Sequence, residues 1–198
     1  MNVVKPIGRA RFEELLASHD PVRGTPLLTL LDARLEGVTL VDRDLSACVL
    51  ARCQLIGVTF ERCKLFGSQF FDSRFEQCRL TACNLRKSEF NGSSLRGADF
   101  SGSEMSRCDL TGVDLRDANL TSCVLDWAWL IECDMRDAVL EHASFRGTRI
   151  GEAKLHNARR FVLGPHDQSR VDNVDLGPDG DGSVIVNGDE LWEMLSVR

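Results

Sequence analysis

The residues of this 198-residue chain best suited to chemistry are its eight cysteines, at positions 48, 53, 63, 78, 83, 108, 123 and 133. Thiols in that number could form a disulfide framework or hold a metal ion. No two of them form a C-x-x-C pair, and His19, His142, His156 and His166 are scattered through the chain. The acidic string of Asp175, Asp179 and Asp181 superficially suggests a calcium loop. It fails the EF-hand pattern in either register: from Asp179 the turn glycine becomes Val184, and from Asp175 the terminal carboxylate becomes Val186. It reads as a solvated turn. No P-loop, G-x-G-x-x-G, G-x-S-x-G or H-E-x-x-H occurs. The expectation is a chain that is no enzyme and carries no metal and no cofactor.

The elements that must position these residues follow one register. Every fifth residue from Leu30 to Leu155 is Leu, Phe, Met or Ile, twenty-six units without an insertion. Two residues before each centre runs a second series, Ala33 to Ala158, in which only Arg43 is not small. An α-helix rotates about 500° in five residues and a straight strand changes face at every odd step, so neither keeps all the centres inside. A chain that runs extended for about three residues and then turns a corner does. All eight cysteines fall in the small inward series, where a buried thiol acts as an apolar filler. Eight glycines, Gly37 and Gly147 among them, lie two residues after a centre, where a type II corner takes positive φ. All five prolines lie outside the repeats, as expected if backbone N–H groups there donate to the next rung. The pattern predicts a stacked β-solenoid.

These residues resemble the pentapeptide-repeat family, whose consensus is Ala-(Asp/Asn)-Leu-X-X. Ala98-Asp99-Phe100, Ala118-Asn119-Leu120 and Cys83-Asn84-Leu85 follow it closely. The resemblance implies an all-β solenoid: a right-handed quadrilateral β-helix with four units per coil and short helical caps. At the usual spacing of about 4.8 Å per rung, the repeats make a rod roughly 30 Å long.

Three segments are expected: an N-terminal cap over 1–27, the β-helix over 28–159 and a C-terminal loop and helix over 160–198. Open rod ends expose unpaired rungs, so each needs covering. Arg9 to His19 places Phe12, Leu15 and Leu16 on one helical face and suits an N-terminal cap. Arg43, in the first full coil, is expected to turn its guanidinium outward. A strand candidate lies at 183–186, and Asn187 with Glu190 suggests a helix start. Leu191, Trp192, Met194 and Leu195 make that helix apolar on one side, either a lid on its own rod or a homodimer contact. No apolar run is long enough to span a bilayer and Met1 to Gly8 lacks a signal pattern, so a soluble cytoplasmic protein is expected.

The outward residues carry the functional signal. Arg96, Arg116 and Arg136 form a column flanked by Asp114, Asp134, Asp117 and Asp137, a charge ladder or an arginine stripe. Phe66 and Phe71 are expected near one corner, with Trp127, Trp129 and Ile131 near the same corner three coils on, as a partner contact. One side, with Asp72, Glu89, Asp109 and Glu132, sums to −4; its neighbour, with Arg86, Lys87, Arg107 and Arg146, to +3. The expected function is a non-enzymatic protein-interaction scaffold or adaptor with another protein as partner, and no direct binding of nucleic acid. The family resemblance implies the alternative, a DNA mimic that binds DNA gyrase and protects it from quinolones. Residues 30–158 carry a net charge of only −3, against roughly 18 phosphate charges on a duplex of about 30 Å.

Overall fold

The computed structural model describes residues 5–20, 27–159, 170–172, 174–177 and 185–186. The chain is an all-β solenoid of about seven turns, the right-handed quadrilateral β-helix expected. Pairing is parallel with an offset of twenty residues: Leu30 faces Leu50, Leu35 faces Leu55, and Leu40 faces Phe60. Isolated bridges carry the same offset from Asp44 with Lys64 to Val139 with Arg159. Four five-residue units therefore close one coil. The first side is centred on Leu30, Leu50, Phe70, Phe90, Leu110, Leu130 and Ile150; the fourth on Leu45, Leu65, Leu85, Met105, Leu125 and Phe145.

Backbone accounting explains the repeat. Around Leu50, Val49 N–H donates to Leu28 O (2.9 Å), Leu50 N–H to Gln69 O (2.8 Å) and Arg52 N–H to Phe71 O (2.8 Å). The residue after the centre is served by a side chain instead: Ser101, Thr111 and Thr121 N–H donate to Asp99, Asp109 and Asn119 at 3.0, 3.0 and 3.1 Å. That Asx turn is the physical reason for Asp or Asn before the centre. All twenty-six corner residues from Asp32 to Asn157 have positive φ, yet only eight are glycine. Glycine is favoured there, not demanded, because the corner side chain points outward and its N–H bond to the next coil offsets about 1 kcal/mol of left-handed strain.

The centres fill the interior, with Phe70 stacked on Phe90 (4.7 Å) and edge-on to Phe75 (5.6 Å). At the N-terminal end, Lys5–Pro6 pairs with the first coil beside Ala33. Helix α1 (Arg9–Ser18) then buries Phe12 and packs Leu15 and Leu16 on the core. Pro6 fits because it sits on the outermost rung, where a missing N–H is harmless. Arg43 is exposed, as expected of an inward position in the first coil.

At the other end, the stack outlasts the sequence register. Arg170–Asp172 pairs with Arg149–Gly151 at an offset of twenty-one, and Lys154 bridges Asp175. The reading of Asp175 as part of a solvated turn is corrected: it is 5% exposed, hydrogen-bonded through its backbone to Ala153 and Leu155, and its carboxylate accepts from Gly177 N–H at 2.7 Å. Ile185–Val186 pairs antiparallel with Val174–Asp175. The expected C-terminal helix with Leu191, Trp192, Met194 and Leu195 lies outside the described residues, as do Asp179 and Asp181. Among the described residues no helix is long and apolar enough to cross a membrane.

Candidate functional site

The cysteines do more than fill space. All eight are free and buried, and seven of them donate S–H to the carbonyl of the centre twenty-three residues earlier. Cys53 reaches Leu30 O at 3.4 Å, Cys108 reaches Leu85 O at 2.9 Å and Cys133 reaches Leu110 O at 2.8 Å. The inward serines repeat the bond, Ser68 to Leu45 O (3.2 Å) and Ser73 to Leu50 O (2.8 Å). The thiols are the small buried filler expected, and the S–H bond adds a donor that the alanines and valines of the same series, such as Ala98 and Val113, do not supply. Burial pushes the Cys48, Cys108, Cys123 and Cys133 thiols up to about 12, so these four are poor nucleophiles and ligands at neutral pH, whereas a hydrogen bond with Cys83 lowers the Cys63 thiol. Among the described residues no three His, Cys, Asp or Glu side chains converge as a metal site would need.

The arginine column is a ladder. Arg116 clamps Asp114 with two bonds (2.9 and 2.7 Å) and lies 3.7 Å from Asp134, one coil on. Arg136 clamps Asp134 in the same way (2.8 and 2.6 Å) and Arg96 meets Asp117 at 3.1 Å. Burial works against the Asp114 and Asp134 carboxylates, but the guanidinium bonds outweigh it and hold both below the usual carboxylate range. These charges are spent on each other. His156 is half-buried and bonds the Leu176 carbonyl through Nδ1 at 3.1 Å.

The acidic residues occupy two columns. Glu89 and Asp109 are rung neighbours on the first side, whereas Asp72 and Glu132 stand three coils apart on the corner that follows it. Burial raises the Asp109 carboxylate, but hydrogen bonds involving Asn91 and Thr111 outweigh it and set it below its ordinary value. Asp72 lays Oδ1 where a Cβ on Gly92 would sit, 2.5 Å away.

The aromatic residues do not share one corner, which corrects the expectation. Phe66 and Trp127 occupy the corner between the fourth and first sides, Trp129 lies on the first side, and Phe71 and Ile131 line its far corner. The reason is the five-residue step itself: Phe66 and Phe71 follow successive centres and so fall on successive corners. Trp127 and Trp129 are 46% and 54% exposed, and Phe66 41%. Phe71 and Ile131 are half-buried. Glycines of the next coil make room for two of these side chains. A Cβ on Gly147 would lie 2.6 Å from the Trp127 ring, and one on Gly151 3.3 Å from Ile131 Cδ1. Each glycine stands twenty residues after the side chain it accommodates, Gly147 at a corner and Gly151 at the end of a rung strand. Lys87 Nζ stands 5.5 Å from the Phe66 ring centre, a cation–π contact that face-by-face charge counts overlook.

Two family models match the chain. The pentapeptide repeat region covers residues 43–120, and pentapeptide repeats in eight copies cover 105–137 and 118–157, together more than half of it. The chain belongs to the pentapeptide-repeat family. No curated protein sequence matches it. Among solved structures, this pentapeptide-repeat protein is similar to full-length QnrB1, a plasmid-mediated fluoroquinolone resistance protein, at 18% identity, 84% and 96% coverage of the two chains and a TM-score of 0.44. It is also similar to Rfr23 from the cyanobacterium Cyanothece 51142 (20%, 61% and 89%, 0.38). A third likeness is to a pentapeptide repeat protein of the Arabidopsis thaliana thylakoid lumen (26%, 63% and 70%, 0.35).

Proposed function

We propose that this pentapeptide-repeat protein is a non-enzymatic protein-interaction scaffold, with the first side and its flanking corners as the contact surface. The observation that carries the reading is the pair Trp127 and Trp129, each about half exposed beside a rod whose centres are fully buried. The repeat asks for neither residue: polar side chains stand at the equivalent positions Lys87, Arg107, Glu89 and Asp109. Large rings left in water on a flat β surface suit burial against another protein. Eight free thiols suit a reducing compartment, and the cytoplasm is proposed as the place of action. The test is partner capture from the source cell with the wild type and with Trp127→Ala/Trp129→Ala. The double variant should stay folded and lose the captured protein; retention at the wild-type level would count against the surface.

A second reading is a gyrase-directed DNA mimic. Glu89 and Asp109, stacked one rung apart in the same column as Trp129, are what favours it. A supercoiling and cleavage assay with purified gyrase separates the two. Loss of quinolone-induced cleavage at near-stoichiometric protein would make the mimic the better reading.

A further inference from the structure

The corner between the fourth and first sides is an unbroken hydrogen-bonded ladder. Gly67 N–H donates to Arg86 O (2.9 Å), Lys87 to Ser106 O (3.0 Å), Arg107 to Asp126 O (2.9 Å) and Trp127 to Arg146 O (2.8 Å). Its side chains therefore read, coil by coil, Phe66, then Arg86 with Lys87, then Arg107, then Trp127, then Arg146. All are exposed. Elsewhere arginines are neutralised: Arg52 by Asp32, Arg62 by Asp42, Arg116 by Asp114 and Arg136 by Asp134. Along this corner, among the described residues, no carboxylate pairs with Arg86, Lys87, Arg107 or Arg146. The nearby carboxylates are engaged by other groups. Glu104 accepts from Ser106, and Asp126 accepts from Ser144 and from Arg146 N–H (3.0 Å).

We infer that this corner binds an acidic, extended protein segment, with Phe66 and Trp127 as its two apolar anchor points. The proposal rests on the scaffold reading and adds the chemistry of the partner. Four cations without an ion-pair partner outnumber the Glu104 and Asp126 carboxylates along this edge, and that net positive charge gives the charge of the ligand. The rigid ladder gives its shape. Phe66 and Trp127 stand three rungs apart, about 14 Å, which an extended chain spans in about four residues. The fitting segment thus has two apolar residues four positions apart with carboxylates between them. A nucleic-acid strand fits less well, because binding one takes aromatic side chains on which successive bases stack, and Phe66 and Trp127 stand three rungs apart with cations between them.

Three fluorescein-labelled probes test this by anisotropy: a peptide with Leu and Phe four positions apart and three Glu between, the same peptide with three Lys, and a fifteen-residue oligothymidine. The acidic peptide should bind the full chain, about tenfold more weakly to Arg107→Glu/Arg146→Glu and to Trp127→Ala, and to lose affinity with added salt. Equal binding of the lysine peptide, tighter binding of the oligothymidine, no binding of the acidic peptide, or indifference to the charge reversal would each overturn the proposal. Thermal unfolding checks that the variants fold, and no ion pair is lost in them. If cellular partner capture needs Trp127 and Trp129 but survives the charge reversal, the scaffold reading stands and the acidic-segment proposal fails.

Discussion

Replacing Gly147 by Ala should harm the rod more than the same change at Gly97, and Trp127 should be the cause. Both glycines are left-handed, with φ of +66° and +65°. A Cβ at Gly97 would meet nothing within 4 Å, so that variant isolates the backbone term, about 1 kcal/mol. At Gly147 the added methyl would stand 2.6, 2.7 and 2.8 Å from three atoms of the Trp127 indole, so the ring must leave. Overpacking typically adds about 1–3 kcal/mol. The ring's own contribution sets a ceiling: about half of a tryptophan's surface is covered here, roughly 100 Å², or about 2.5 kcal/mol at 25 cal/mol/Å². Gly147→Ala should therefore cost about 2–3 kcal/mol in urea unfolding against about 1 for Gly97→Ala, with a red-shifted tryptophan emission. In a Trp127→Ala background the excess should vanish, since there is then no ring to displace. Equal costs for the two glycine variants, or an excess that persists without Trp127, would refute the packing argument.

Three further outcomes are expected. Ser73→Ala should cost about 2 kcal/mol and more than Ser68→Ala, because the Ser73 hydroxyl both donates to Leu50 O and accepts from Cys53 N–H (3.0 Å), whereas Leu45 O keeps its bond from Cys48 N–H after Ser68 is removed; equal costs in chemical denaturation would argue otherwise. Alkylation at pH 8 should label the eight cysteines far more slowly in the native chain than in urea, because all eight are buried; mass spectrometry showing any of them reacting at the free-thiol rate would contradict the buried ladder. His19 Nδ1 accepts from Leu28 N–H at 2.8 Å, and burial lowers its pKa against the opposing pull of Asp44 and Asp20. The unfolded chain then binds the proton more readily, so this contribution is full above about pH 6.5 and is lost as pH falls below it. Unfolding midpoints should drop between pH 7 and 5 in the wild type and less in His19→Gln; parallel pH profiles would exclude the histidine as the cause.

The period of five determined the fold by itself. A repeat that admits no helix or straight strand leaves a four-cornered coil, and the centres, the inward thiols and the helix carrying Phe12 all sit where that coil requires. What the linear order could not convey was anything set by neighbours one coil away in space. Only the stacked rungs showed that a cysteine or serine donates to a carbonyl twenty-three residues earlier. The same stacking showed that Gly147 makes room for Trp127, and that Asp175 joins the sheet after the register has slipped by one residue. Phe66 and Phe71, close in sequence, part company at a corner, while Phe66 and Trp127, sixty-one residues apart, come to share one. Hydrogen bonds between coils fix those relations, and they depend on the rotation of the backbone around the rod rather than on the residue types along it.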